Sequence, residues 1–415
     1  MGPVGSGVRT PARAETVGSL LRPRRLRSAI DAFYAPGHSA VLEEERTQDR
    51  SALQAVEDDA IRAAVRRQID AGLDVVTDGE LRRWMFMNSF YDAVEGVRTD
   101  KTVRFRRAGG REVELRVHEI VDRLRPVDSP AAREAAFLAE VTDGHPFKVT
   151  FPAASIFGHP LTTVGDAYDS LDGFVTHAIE IERRLVADAV EAGAGYIQFD
   201  FPLYPYLVDP SWIERFREAG FALADLVDAA IAADRAILAG VPDDVTTALH
   251  ICRGNYRSSW MCEGSLEPVA ERVFGELPYD VFLVEWDDLG RDGGFDPIRH
   301  LRRDSIMVMG ASSPRRRRRW RARTAFFSGW RRRQRSSAGS SGSRSVRNAG
   351  SRRSWSATSS PTTTSGGSWS SWAGSRTVSG ADPTDPPGGS HLSLRVSSPD
   401  GCRFERRPAV GRRTA

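Results

Sequence analysis

Cysteine is scarce in this sequence, which has three in 415 residues: Cys252, Cys262 and Cys402. They are too few and too unevenly spaced for a disulfide framework, which favours a reducing compartment. No apolar run approaches the length of a transmembrane helix, and the N-terminus lacks the apolar core of a signal peptide. We therefore expect a cytoplasmic protein with no membrane partner.

The sequence also lacks a glycine-rich phosphate-binding loop and a repeat of short period. Lysine is absent from residue 305 onward, where 22 Arg and four acidic residues leave 36 basic and 51 acidic residues in the first 304. The front of the chain therefore carries a net charge of about −15 and the back about +18. The overall charge of +3 averages two unlike parts and gives no reason to expect a nucleic-acid partner for the whole chain.

The C-terminal quarter has no helical or strand periodicity. After Ser313 the sequence turns to Arg, Ser, Gly and Trp, and then to a Pro/Gly-rich end. Such a composition cannot bury a hydrophobic core. We expect a disordered arm at 1–14, a folded domain at 15–310 and a disordered basic tail at 311–415.

Seven short apolar runs alternate with amphipathic helical stretches between residues 15 and 310. The runs are ETVGSL, LDVVTDGE, FKVTFPAAS, AGYIQFDFP, VTTALHICRGN, YDVFLVEWDD and DSIMVMG. The clearest helical stretches, at 49–71 and 173–192, each precede a glycine. Continuous apolar runs are typical of parallel strands covered by helices on both faces. The pattern predicts an α/β fold, a TIM (β/α)₈ barrel that lacks its last strand, with an open doubly wound sheet as the alternative.

Two metal-binding residue types end the fifth run. His250 and Cys252 stand two apart on a strand and so face the same side, which is the mouth of a barrel at a strand's C-terminal end. Imidazole and thiolate are zinc ligands, although a packed histidine and a buried cysteine would also account for the pattern. Glu285 lies after four apolar residues of the next run, where it would add a third ligand at the same rim, or else face solvent or pair with Arg291.

Five motifs together resemble the catalytic barrel of cobalamin-independent methionine synthase in its single-barrel form. They are VGSL, VVTDGE, IQFDFP, HICRGNY and FLVEWDD, and the similarity runs from about residue 15 to 310. The resemblance implies transfer of a methyl group from methyltetrahydrofolate polyglutamate to the sulfur of homocysteine. It also implies a zinc ion held by one His, two Cys and one Glu, of which His250, Cys252 and Glu285 match three.

The resemblance further implies a pocket for the amino-acid end of the substrate. Gly18 and Ser19 match the turn that holds the carboxylate, and Glu80 and Asp200 match the acids that hold the ammonium; Asp200 is also the candidate catalytic residue. The family motif continues from this Asp with Glu-Pro, whereas this chain has Phe201 followed by proline. The lost carboxylate leaves another thiol, such as coenzyme M, as an alternative acceptor. Trp84 is a candidate for stacking on a flat ligand, or else a core or lid aromatic.

The family's second zinc cysteine has no counterpart at the expected place, roughly sixty residues past the Glu. Cys402 lies too far along, and Cys262 lies in a probable loop or early helix. Residues 344–356, back-translated and read two bases later, give Val-Ser-Ala-Glu-Cys-Gly-Phe, close to the missing motif. We hypothesise that the coding frame slips shortly after Gly310. The alternative is a genuine Arg-rich segment that binds nucleic acid, on a barrel made inactive by the missing ligand.

Overall fold

The computed structural model describes residues 12, 14–33, 49–83, 85–98, 102–106, 112–254, 260–286 and 288–310, with backbone alone at 102–106 and 112–116. Trp84, Cys402, the predicted tail and the segment of the proposed frame slip lie outside them. The helices are α1 Arg24–Phe33, α2 Ser51–Asp70, α3 Asn88–Tyr91, α4 Pro130–Val141, α5 Leu171–Glu191, α6 Tyr204–Val208, α7 Pro210–Glu218, α8 Leu223–Ala236, α9 Glu267–Glu276 and α10 Leu289–Asp292. The strands are β1 Val94–Arg98, β2 Thr102–Arg106, β3 Glu112–Arg116, β4 Glu119–Pro126, β5 Val149–Pro152, β6 Tyr196–Asp200, β7 Thr246–Ile251, β8 Val281–Glu285 and β9 Ile306–Gly310.

Five of these strands form one parallel sheet in the order β5-β6-β7-β8-β9. Two parallel bridges extend it at the β5 edge, from Phe147 to Val76 and from Val75 to Glu15. The sheet therefore has seven strand positions in chain order, and each coincides with one of the seven predicted runs. The described residues end at Gly310, the last residue of β9, so the structure does not test the predicted lack of an eighth strand.

The sheet curves round until its first strand position faces the strands near its middle. The side chain of Gln198 on β6 donates to the carbonyl of Val17 at 2.8 Å, and Glu15 accepts from Lys148 and from the Tyr196 hydroxyl. An open doubly wound sheet would keep the first strand away from β6, so these contacts support the barrel prediction. The apolar side chains that meet inside are Val17, Val75, Tyr196, Ala248, Val281 and Leu283.

Helices cover the outside of the sheet as the periodicity predicts. The predicted helix at 173–192 is α5, whose N-cap Ser170 accepts the N–H of Gly173 at 3.1 Å. Its buried face includes Phe174, Ile181 and Leu185. The predicted helix at 49–71 is α2. None of the helices in the described part of the chain is long and apolar enough to cross a membrane.

A β-rich excursion between the second and third barrel positions was not predicted. β1 pairs antiparallel with β4, and β2 pairs antiparallel with β3. Two aromatic contacts join this excursion to the barrel: the His118 ring stacks on Tyr91 at 3.8 Å, and the hydroxyl of Tyr168 accepts the N–H of Leu124 at 3.0 Å. The excursion follows the second strand position, so it leaves the barrel at the end where the strands point their carboxyl termini.

Candidate active site

The register of the parallel sheet brings the predicted site residues to one rim. Asp200 at the end of β6 lies opposite His250 on β7, and Ile251 lies opposite Val284 on β8. Cys252 directly follows β7, and Glu285 is the last residue of β8. The carboxyl ends of parallel strands form the site-bearing face of a barrel, and four predicted residues from three strands lie there together.

The imidazole of His250 is hydrogen-bonded to Asp200. Its Nδ1 lies 2.9 Å from Oδ1 of Asp200, and the same oxygen accepts from Nε2 of Gln198 at 2.6 Å. A carboxylate that accepts the Nδ1 proton fixes the ring tautomer with its lone pair on Nε2. His250 thus has the arrangement common to metal-binding histidines, with Nε2 as the nitrogen for a ligand.

The thiol of Cys252 stands in acidic surroundings. Burial raises its pKa well above the ordinary value, and the carboxylates of Glu285 and Asp200 raise it further. The N–H of Gly254 lies 3.5 Å from the sulfur and acts in the opposite direction. A thiol so placed stays protonated at neutral pH unless a cation lies beside it.

Both carboxylate oxygens of Glu285 have protein partners. Oε2 accepts the backbone N–H of Arg253 at 2.8 Å, and Oε1 lies 3.0 Å from Nη2 of Arg291. The pairing with Arg291, which the sequence offered as the alternative to a ligand role, is therefore present. Across the described ranges, no three His, Cys, Asp or Glu side chains form a group that could hold a metal ion.

A second acidic group lies at the end of the second strand position. Glu80 is buried with a left-handed backbone (φ 55°), and its N–H donates to Oδ1 of Asp78 at 2.8 Å. Burial and, to a smaller extent, the negative charge of Asp200 raise the pKa of Glu80 to about 8. Burial also raises the pKa of Asp78 to about 6. Neighbouring buried carboxyls with raised pKa values form a site suited to an organic cation such as an ammonium group.

The turn after the first strand lies against this acidic loop. The N–H of Leu20 donates to the carbonyl of Gly79 at 3.0 Å, and a Cβ on Gly79 would lie only 2.9 Å from the Leu20 side chain. Gly79 therefore permits the close approach of the two loops. Gly18 and Ser19, both half-buried, precede Leu20 in the turn that this contact holds against Gly79.

The comparisons with known proteins agree on the architecture. No family model matches the chain. It is 28% identical over 309 residues to the uncharacterised Bacillus subtilis protein YxjH, covering 72% of this chain and 77% of that one. A methionine synthase from Saccharolobus islandicus is 27% identical over 209 residues, covering 49% of this chain and 57% of that one. A Listeria monocytogenes structure, described as a vitamin-B12-independent methionine synthase, superposes with a TM-score of 0.54 at 24% identity over 73% of this chain and 81% of its own. The chain shares the barrel fold of this structure.

The barrel departs at Phe201 from the motif that the sequence resemblance implies, and Phe201 makes an apolar wall at the rim. Phe201 has a left-handed backbone (φ 56°), and its ring contacts those of Phe86 and Tyr206 at centroid distances of 6.0 and 5.4 Å. A Cβ on Gly254 would lie 3.4 Å from the Phe201 ring and 2.8 Å from Cβ of Met261. The loop after β7 is therefore packed tightly against this aromatic group.

The remaining described cysteine of the barrel is part of its core. Cys262 is fully buried, and its N–H donates to the carbonyl of Arg253 at 3.0 Å. A buried thiol in an apolar cluster serves packing. The structure adds Arg253 and Asp292, which were not predicted, to the residues of the rim, together with Arg291, which was predicted only as an alternative partner of Glu285.

Proposed function

We propose that this chain is a zinc-dependent methyltransferase that moves a methyl group from 5-methyltetrahydrofolate polyglutamate to the thiol of homocysteine, giving methionine. The observation that carries the proposal is the grouping of Asp200, His250, Cys252 and Glu285 on adjoining strand ends, next to the buried acid Glu80. The methionine synthase-like fold agrees with this reading.

The donor types at the rim suit zinc. An imidazole nitrogen, a cysteine sulfur and a carboxylate oxygen are the usual ligands of this ion, and the carboxylates around Cys252 favour a nearby cation. His250, Cys252 and Glu285 would hold it after their side chains close on the ion, since in their present positions these described residues do not form a metal-binding group. Bound there, zinc would lower the pKa of the substrate thiol and so keep the sulfur as a nucleophilic thiolate.

The chain's own residues orient the reactants. Asp200 holds His250 in one tautomer through the contact to Nδ1. Glu80, ionised by contact with an ammonium group, would bind the amino end of homocysteine, and the Gly18-Ser19 turn would bind its carboxylate. Phe201 would line the path of the methylene chain and exclude water, which strengthens the polar contacts beside it.

Phe201 also favours a second acceptor. An apolar ring in place of a carboxylate reduces the negative charge that the ammonium group of an amino acid would meet, and coenzyme M carries a sulfonate and no ammonium. Zinc-dependent alkyl transfer to such a thiol is therefore the alternative. The buried acids Glu80 and Asp200 favour the ammonium-bearing substrate over it.

Titration calorimetry of the full chain with zinc distinguishes the two acceptors. We expect homocysteine to bind in a zinc-dependent manner and coenzyme M to bind at least about tenfold more weakly, because only homocysteine offers a positive charge to Glu80. Cys252→Ser should lose binding of both. If coenzyme M alone binds in a zinc-dependent manner, then coenzyme M, and not homocysteine, is the favoured acceptor. If neither thiol binds, the proposal is overturned.

A further inference from the structure

We propose that Arg291 competes with the metal for the same oxygen of Glu285, so that its release from this carboxylate accompanies metal binding. This inference rests on the proposed function, since it takes Glu285 as a zinc ligand. It adds a residue that controls how tightly the site holds its ion.

Four buried charged residues form a closed ring at the rim. Arg291 bridges Glu285 and Asp292: its Nη2 lies 3.0 Å from Oε1 of Glu285 and its Nε lies 2.7 Å from Oδ1 of Asp292. The same Asp292 oxygen lies 3.2 Å from Nε of Arg253, whose backbone N–H donates to Oε2 of Glu285. Their side chains are at most 9% exposed. The ring is electrically neutral, with two positive and two negative groups.

The ring places a guanidinium where a metal ion would have to lie. Oε2 of Glu285 is held by the backbone amide of Arg253, which leaves Oε1 as the oxygen that can turn to a metal. That oxygen faces Arg291. Two cations cannot occupy one side of a carboxylate oxygen, and in a buried site their repulsion is only weakly screened.

Arg291 has other partners that would hold it after release. Asp292 accepts from both its Nε and its Nη2, at 2.7 and 2.9 Å. The guanidinium also lies over the Trp260 ring, 5.4 Å from the centroid, where a cation–π contact favours it. A small rotation would thus free Oε1 while the charge of Arg291 stays compensated. Glu285 would remain at its strand end, because its contact with Arg253 uses the main chain.

Zinc affinity tests the competition, measured on the full chain with a chromophoric chelator. Arg291→Met keeps an unbranched side chain and removes the charge, so we expect its dissociation constant for zinc to fall about tenfold or more. Arg299→Met is the matched control, since Arg299 pairs with Glu267 on the exposed surface, and its affinity should equal that of the unaltered chain. His250→Ala establishes that the measured ion sits at this rim.

An Arg291→Met affinity equal to or weaker than that of the unaltered chain would overturn the inference and leave the zinc proposal standing. If His250→Ala does not weaken zinc binding, the proposed function itself fails, and the inference with it. If Arg291→Met folds poorly, a second measurement on the unaltered chain tests the same inference. Adding zinc should change the tryptophan fluorescence of the unaltered chain, and this change should be absent in Trp260→Phe. If zinc leaves the fluorescence of Trp260 unchanged, Arg291 stays in place and the inference is overturned.

Discussion

At the scale of single residues, Asp200 joins the two parts of the rim. Its Oδ1 accepts from His250, and its charge raises the pKa of Glu80. We predict that Asp200→Asn weakens zinc binding by roughly 10- to 100-fold, because an amide does not fix the histidine tautomer as a carboxylate does. The measurement is chelator competition.

The control for this substitution is Asp280→Asn. Asp280 accepts from the N–H and hydroxyl of Thr247 at the opposite end of the sheet, before β8 begins. This variant should lose stability and keep its zinc affinity. Equal affinities for Asp200→Asn and the unaltered chain would show that the Asp200–His250 contact does not orient a ligand.

Glu80 gives the stability of the protein a predictable dependence on pH. Its pKa rises from an ordinary 4.5 to about 8 in the folded chain, so folding favours the protonated carboxyl. The stability that this provides is complete below about pH 4.5 and is lost as pH rises through 8. We therefore predict that Glu80→Gln becomes increasingly more stable than the unaltered chain between pH 5 and about 8.

Urea unfolding at several pH values checks this prediction. Glu214→Gln is a suitable control, because Glu214 is exposed and the hydrogen bond from Arg217 lowers its pKa. It should show no gain in relative stability over the same pH range. If the difference in free energy of unfolding between Glu80→Gln and the unaltered chain does not change with pH, this would contradict the burial of an ionisable group at this loop.

At the scale of secondary structure, the apolar runs predicted all seven strand positions and the helices α2 and α5. Alternation of buried strands with amphipathic helices is a strong signal, because each element must bury a continuous face. The excursion at 94–126 escaped prediction, since its strand β4 is mostly exposed and buries only Ile120 and Leu124 completely. Short polar strands carry little periodic signal.

The sequence likewise predicted some features of the candidate site and missed others. Strand-end spacing predicted the grouping of His250, Cys252 and Glu285, because a strand's last residues face the barrel mouth. The contact between Asp200 and His250 depends on the register of two strands, which a single sequence does not specify. The ring through Arg253 and Asp292 was missed because it joins a strand end to α10. Only its Arg291 contact to Glu285 was foreseen as an alternative.

The buried ion pair of Glu15 and Lys148 ties the first strand position to the start of β5. Their side chains are at most 3% exposed. We predict that Lys148→Met lowers the free energy of unfolding by about 3–5 kcal/mol, because it leaves a buried carboxylate without its cation. The double variant Glu15→Leu with Lys148→Met should recover most of this loss. Urea unfolding tests both, and an equally unstable double variant would show that packing, rather than charge, governs this contact.

At the scale of the whole molecule, the described residues provide seven strand positions and three candidate zinc ligands, each one fewer than the set that the sequence resemblance implies. The proposed frame slip after Gly310 would account for both. We predict that sequencing the gene across the codons for Met307 to Ser356 reveals a gained or lost base, with a Cys-Gly-Phe motif restored in frame. If sequencing finds the same reading frame, the proposed frame slip is contradicted, and the Arg-rich segment requires a function of its own.

The central claim is that Cys252 and a substrate thiol share a metal ion at this rim. Cobalt(II) in place of zinc reports this directly, since a thiolate ligand gives it a charge-transfer absorption that oxygen and nitrogen ligands do not. The account predicts this absorption in the cobalt-loaded chain, its loss in Cys252→Ser, and its increase when homocysteine is added to the unaltered chain. An absorption that is absent, or that neither Cys252→Ser nor homocysteine changes, would contradict the account.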